Sequence, residues 1–100
     1  MVKCRITVLK RDYYPEMVAL CPEEIRKKLP GPCDVFHVGQ EFVVSPFIEL
    51  PPGFCPWAWD DIYKVMVSLA EDNTPGMCNI ACCTDGTRPV TFKIEKIVVE

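Results

Sequence analysis

Strict alternation of apolar and polar side chains at both ends of this chain is the feature that most restricts its fold. The apolar positions are Val2, Cys4, Ile6 and Val8 near the start, and Val90, Phe92 and Ile94 near the end. A period of two residues is typical of a strand that buries one face. We therefore predict two such strands as neighbours in one sheet, with a bulge or strand end at Lys96-Ile97, where the alternation slips.

A helix is predicted over residues 56–70. Apolar residues recur there at i, i+3, i+4 and i+7, namely Ile62, Val65, Met66 and Leu69, which is the spacing of a buried helical stripe. Pro56 suits the first turn, so Cys55 becomes the predicted N-cap.

Proline and glycine divide the rest of the chain. Residues 15–29 are predicted to be helical with an interruption at Pro22, and residues 32–50 to be extended. Asp85-Gly86 predicts the turn of a hairpin over residues 79–99. The order strand, helix, extended segment, helix and hairpin is typical of α+β proteins. We predict a small single domain over residues 1–100, mainly antiparallel sheet with two helices.

Charge and cysteine content narrow the classes of function. The net charge is -3, which gives no electrostatic basis for binding nucleic acid or an anionic membrane. No apolar run approaches the ~20 residues needed to span a bilayer. The cysteines number seven, so they cannot all form disulfides within the chain. Because the N-terminus does not read as a secretory signal, we predict a cytoplasmic protein with free or metal-bound thiols.

Three cysteine-bearing segments are candidates for a site. Cys55 at a helix N-cap faces unpaired N–H groups that favour a thiolate, or it is an apolar cap packed by Phe54 and Trp57. Cys33 lies four residues before His37, the only histidine, and both side chains suit a borderline metal; the alternative is a solvent-facing histidine beside a structural cysteine. Of Cys82 and Cys83, only one can face such a site, because adjacent strand residues point to opposite faces.

Together these segments predict a cysteine-based metal or thiol site. Its metal ligands would be Cys33, His37, Cys55 and Cys83, with Cys82 as the alternative to Cys83. Such a set would hold zinc or iron. We favour Cys83 because it is nearer the turn.

Two other functions compete with this one. The first is a ligand- or partner-binding surface built from aromatic, arginine and acidic side chains, namely Trp57, Trp59, Asp61 and Arg88, since such residues are common anchors of binding sites. The second is an enzyme with Cys55 as nucleophile, for which His37 is the one obvious base.

Three motifs resemble those of a family of small prokaryotic proteins of uncharacterised function. They are C-x-x-F-x-x-G-Q-x-F from Cys33, G-F-C-x-W-A-W-x-D-I from Gly53 and C-C-T-D-G-x-R-P-V from Cys82. The resemblance implies a stand-alone cytoplasmic domain and carries over no catalytic residue. It singles out Cys33, Cys55 and the Cys82-Cys83 pair.

The end of the chain predicts self-association. Ile97, Val98 and Val99 form a β-branched run with apolar side chains on both faces of a strand. We predict a homodimer with residues 94–99 at or near the contact; the alternative is a central strand buried on both sides.

Overall fold

A four-stranded antiparallel sheet forms one layer of the molecule. The computed structural model describes residues 2–45, 49–72 and 76–98. Its strands are β1 (Val2–Arg11), β2 (Glu41–Val44), β3 (Cys78–Cys82) and β4 (Val90–Val98), in the spatial order β2-β1-β4-β3. The first and last strands are neighbours, and the sheet with its helices is an α+β arrangement, as the sequence predicts.

The β1–β4 ladder is the longest pairing and runs from Val2↔Val98 to Arg11↔Val90. Its one register shift falls between Val8 and Lys10, so Leu9 is the bulged residue. The predicted irregularity at Lys96-Ile97 is wrong. Lys96 lies opposite the buried Cys4, and its Nζ donates a hydrogen bond to the Asp72 carbonyl. The alternation slips there because a lysine takes a core-side position and reaches a backbone acceptor.

Three helices accompany the sheet. The region predicted as one interrupted helix forms two single turns, α1 (Pro15–Val18) and α2 (Glu23–Arg26), separated around Pro22. The third helix, α3 (Pro56–Glu71), covers the predicted range and has Cys55 as its N-cap. It packs on one face of the sheet through Ala58, Ile62, Met66 and Leu69. No helix in the described ranges is both long and apolar enough to cross a membrane.

Aromatic rings fill the core at one end of the sheet. Phe36 is 1% exposed and meets Phe42, Phe54 and Phe92 edge to face, with centroid separations of 6.1, 4.9 and 5.2 Å. Phe36 comes from the loop before β2, and Phe54 from the residues before α3. The aromatic contacts therefore hold both segments against the sheet.

β4 is an inner strand. Across Val90–Glu95 it has β1 on one side, and β3 pairs with residues 91–95 on the other. Ile94 and Glu95 therefore have a strand on each side, and a second copy of the chain cannot pair with β4 at these residues. Val99 lies outside the described residues, and dimerisation itself stays a prediction.

Candidate functional site

A cleft of about 130 Å³ lies where three segments meet. Residues 33–36 form one wall, the start of α3 forms a second, and the loop between β3 and β4 forms a third. Its chemically distinctive lining residues are Cys33, Cys55, Trp57, Cys83, Asp85 and Arg88. The three cysteines singled out from the sequence thus line one cleft, although they are far apart in the chain.

Two contacts hold the segment that contains Cys33. Arg11 at the end of β1 donates a hydrogen bond from Nη1 to the Cys33 carbonyl, at 2.8 Å. Three residues later, Phe36 is anchored in the aromatic core. The loop is held by backbone and core contacts, so the half-buried Cys33 thiol is not needed to hold it.

Cys55 stands at the N-terminus of α3. Its carbonyl accepts the first helical hydrogen bond, from Trp59 N at 2.9 Å, while its thiol makes no capping hydrogen bond. Gly53, at φ +80°, allows the turn that leads into the helix, because this conformation is costly for other residues. The half-buried thiol of Cys55 remains available to the cleft.

Cys83 forms the buried floor of the cleft. Its Sγ accepts a hydrogen bond from Val90 N at 3.3 Å. Burial raises the pKa of the Cys83 thiol, and the nearby Asp85 and Cys33 act in the same direction, against the lowering effect of the Val90 and Asp85 amides. Cys83 is therefore a protonated thiol at neutral pH. Cys82 is exposed on the opposite face of the strand.

The side chain of Asp85 holds the loop that follows Cys83 through contacts with Thr87 and Arg88. Asp85 Oδ1 accepts hydrogen bonds from Thr87 N, Thr87 Oγ1 and Arg88 N at 2.9, 2.8 and 3.1 Å, and its Oδ2 lies 3.4 Å from Arg88 Nε. Burial opposes ionisation of Asp85, but these bonds and the Arg88 charge hold its pKa below the ordinary value. The carboxylate thereby fixes Arg88 at the cleft.

Thr84 connects the same loop to α3. Its N–H donates to Asp61 Oδ2 at 2.7 Å, and its Oγ1 accepts a hydrogen bond from Trp57 Nε1 at 2.6 Å. The polar groups of Trp57 and Asp61 are thus engaged within the protein. The indole of Trp57 is still 52% exposed and lines the cleft.

The other predicted site residues, His37, Trp59 and Asp61, do not line the cleft. His37 is exposed, and Trp59 packs against Phe54 and Tyr63. Within residues 2–45, 49–72 and 76–98, no three His, Cys, Asp or Glu side chains are placed to hold a metal ion. A metal bound by the cleft thiols would therefore require them to move closer together.

Sequence reasoning missed three residues that shape this site, namely Asp85, Arg11 and Thr84. Asp85 organises the loop, and the spacing Asp-x-Thr, typical of a side chain that hydrogen-bonds the backbone two residues later, is the signal that points to it. Arg11, which holds Cys33, has no local signal because its partner is a carbonyl 22 residues away.

Comparison with protein-family models, curated proteins and solved structures gave no match to this chain.

Proposed function

We propose that this protein is a thiol-site module that takes up a small thiophilic ligand in the cleft. The observation that carries the proposal is the meeting of Cys33, Cys55 and Cys83 in one cleft. The remaining cysteines, Cys4, Cys21, Cys78 and Cys82, do not line it.

The three thiols have different roles in this proposal. Cys33 and Cys55 are half-buried, so reagents and ligands reach them from the cleft. Cys83 is buried and its pKa is raised by burial, so it shapes the floor and reacts slowly, because the thiolate is the reactive form. Phe36, Ala58 and Val90 give the cleft apolar walls, which suit a small organic group or a poorly hydrated soft ion.

Zinc and iron are the metals that such thiols would bind. Metal binding would release protons, because thiolates are the ligands. His37 would have to reach the cleft from its exposed position to complete the predicted ligand set. A low-molecular-weight disulfide is the metal-free alternative within the same proposal: a Cys33 or Cys55 thiolate attacks one sulfur and releases the other half as a thiol.

Site-resolved alkylation tests the proposal. Iodoacetamide labelling of each cysteine would be followed by mass spectrometry, with and without Zn²⁺ and with and without oxidised glutathione. We expect one of the two probes to protect Cys33 and Cys55 selectively. Cys21 is the internal control, since it is also partly buried but lies outside the cleft.

Two serine variants show whether the thiols act together. Cys33→Ser should remove the protection of Cys55 by Zn²⁺ and should leave Cys55 as the one site of mixed-disulfide formation in the cleft. The matched variant Cys82→Ser should change neither result. The proposal fails if both probes affect Cys33 and Cys55 no more than Cys21, and labelling simply follows exposure.

A second candidate is noncovalent binding of a small organic anion. Arg88 and the half-exposed indole of Trp57 both line the cleft, and this pairing suits a carboxylate on an apolar body. Quenching of tryptophan fluorescence by short-chain carboxylates, lost in Arg88→Met, would support it. Unchanged quenching in that variant would exclude a role for Arg88.

A further inference from the structure

In the part of the chain that the structure describes, β3 pairs with β4 on one side and no strand pairs with its other side. Two bonds fix its pairing with β4: Cys83 N donates to the Val90 carbonyl at 3.1 Å, and Lys96 N donates to the Met77 carbonyl at 2.9 Å. The odd-numbered residues from Met77 to Cys83 therefore direct their N–H and C=O groups towards β4. Because these directions alternate in an antiparallel ladder, Cys78, Ile80 and Cys82 direct their N–H and C=O groups away from it. β3 is the last strand of the described sheet.

Within the described residues, the strand β3 itself carries no charged side chain and no proline. Sheet edges are commonly guarded by such residues. Cys78 and Cys82 are exposed, and Ile80 between them is 55% exposed. The opposite edge strand, β2, begins with Glu41, whose carboxylate lies 3.9 Å from Arg5.

We propose that β3 pairs with β3 of a second copy of this chain, antiparallel, about a two-fold axis through Ile80. The reason is the symmetry of the strand: Cys-x-Ile-x-Cys reads the same in both directions. With Ile80 at the axis, Cys78 lies opposite the partner subunit's Cys82, and Cys82 lies opposite the partner subunit's Cys78. The three outward N–H and C=O pairs of each copy then bond to those of the other, and the two sheets join into one of eight strands. Two-fold homodimers are the commonest closed assemblies of soluble proteins.

Lysine substitutions on the two edge strands, β3 and β2, test which strand forms the dimer contact. Ile80→Lys places two ammonium groups beside each other at the axis, which destabilises a strand pair. We expect light scattering to show a dimer for the unmodified protein and a dissociation constant raised at least about tenfold in this variant. Val43→Lys is the matched control, because Val43 is 53% exposed on the other edge strand, and it should leave the dimer unchanged. A monomeric parent, or a dimer weakened by Val43→Lys alone, overturns the proposal.

Disulfide trapping tests the register in the unmodified protein. In the proposed pairing, Cys78 and the partner subunit's Cys82 form a hydrogen-bonded pair. The Cα atoms of such a pair are about 5.5 Å apart, which is within the range that a disulfide spans. Oxidised glutathione would accept the two electrons and two protons from Cys78 and the partner subunit's Cys82, leaving two glutathione thiols. Within one strand these cysteines are about 13 Å apart, too far to join.

Mixed ¹⁴N- and ¹⁵N-labelled protein distinguishes links between copies from links within one. We expect a Cys78–Cys82 cross-link carrying both isotopes, lost in Cys78→Ser and retained in Cys21→Ser. Absence of that cross-link in the dimer, or a Cys78–Cys78 link in its place, rules out the proposed register. This result is independent of whether Ile80→Lys folds.

Discussion

The sulfur of Cys83 replaces a backbone acceptor opposite Val90. Cys83 N donates to the Val90 carbonyl at 3.1 Å, and Val90 N donates in return to Cys83 Sγ at 3.3 Å. A regular ladder would use the Cys83 carbonyl for the second bond, but β3 ends at Cys82. The thiol therefore completes the sheet where the chain leaves it.

Removing this thiol should cost stability. Cys83→Ala leaves the Val90 N–H without its acceptor in a buried position, which costs about 1–3 kcal/mol of the free energy of unfolding. Cys83→Ser should cost less, because its hydroxyl keeps an acceptor. Urea unfolding measures both, and Cys82→Ala, at the exposed neighbour, should stay within about 0.5 kcal/mol of the parent. Equal losses for the Cys82 and Cys83 variants would show that the Sγ contact contributes nothing.

Alkaline pH should weaken the fold through two thiols. Burial raises the pKa of both Cys4 and Cys83, so above the unfolded value of about 8.5 the unfolded chain ionises while the folded one does not. The contribution of these two thiols to the free energy of unfolding is fully present below that pH, and it is lost as pH rises through the folded pKa values. Unfolding measured between pH 8 and 10 should show a smaller decline in Cys83→Ala than in Cys82→Ala. Identical slopes would contradict the assignment.

Acid should weaken the fold through Asp85. Hydrogen bonds from Thr87 and Arg88 and the Arg88 charge hold its pKa low despite burial, so the stability it contributes is present above about pH 3.9 and is lost as pH falls through the lower folded pKa. Asp85→Asn should cost about 1–2 kcal/mol at pH 7, and the difference from the parent should shrink below pH 4. Asp60→Asn, at an exposed site, is the control. A pH-independent difference would mean that the charge of Asp85 is not involved.

The alternating segments could be predicted because burial alone fixes which face each residue takes. That pattern placed Cys4 inside and made the first and last strands neighbours. It failed at Lys96, where one long side chain reaches a carbonyl and a charge occupies a core-side position. No periodicity encodes such a contact, so the sequence pattern alone predicts a bulge or a strand end at Lys96-Ile97.

The site was predictable only in part. Cysteines at the ends of elements indicated which segments carry it, and Cys55 at the N-cap followed from Pro56. The Asp85-Gly86 turn was predicted, but the bonds that Asp85 makes to Thr87 and Arg88 were not. These hydrogen bonds depend on the orientation of the Asp85 carboxylate within the loop, which the sequence pattern does not determine. The engagement of Trp57 and Asp61 by Thr84 joins residues more than 20 positions apart and leaves no local trace.

Arg11 should control how well Cys33 is shielded. Its Nη1 donates to the Cys33 carbonyl at 2.8 Å, while its Nε is buried without a partner in the described part of the chain. Arg11→Met keeps an apolar stem, removes one bond worth about 1.5–3 kcal/mol, and removes an unpaired buried donor of similar cost. We expect stability within about 1 kcal/mol of the parent and faster alkylation of Cys33, with Cys55 unaffected. Equal acceleration at both cysteines would indicate general loosening instead.

Thr84 should act as the clamp between the β3–β4 loop and α3. Its hydroxyl lies 3.0 Å from Asp61 Oδ2 and 2.6 Å from Trp57 Nε1, and Thr84→Val removes both contacts while keeping the shape and the Thr84 N–H bond to Asp61. Because the site is exposed, we expect a loss of about 0.5–1.5 kcal/mol of the free energy of unfolding. Tryptophan emission should shift to the red as Trp57 becomes more hydrated. Measuring the emission in Trp59→Phe protein isolates the Trp57 signal. Thr91→Val, on the outer face of β4, is the matched control and should leave the emission unchanged; an equal shift in both variants would show that Trp57 does not report on Thr84.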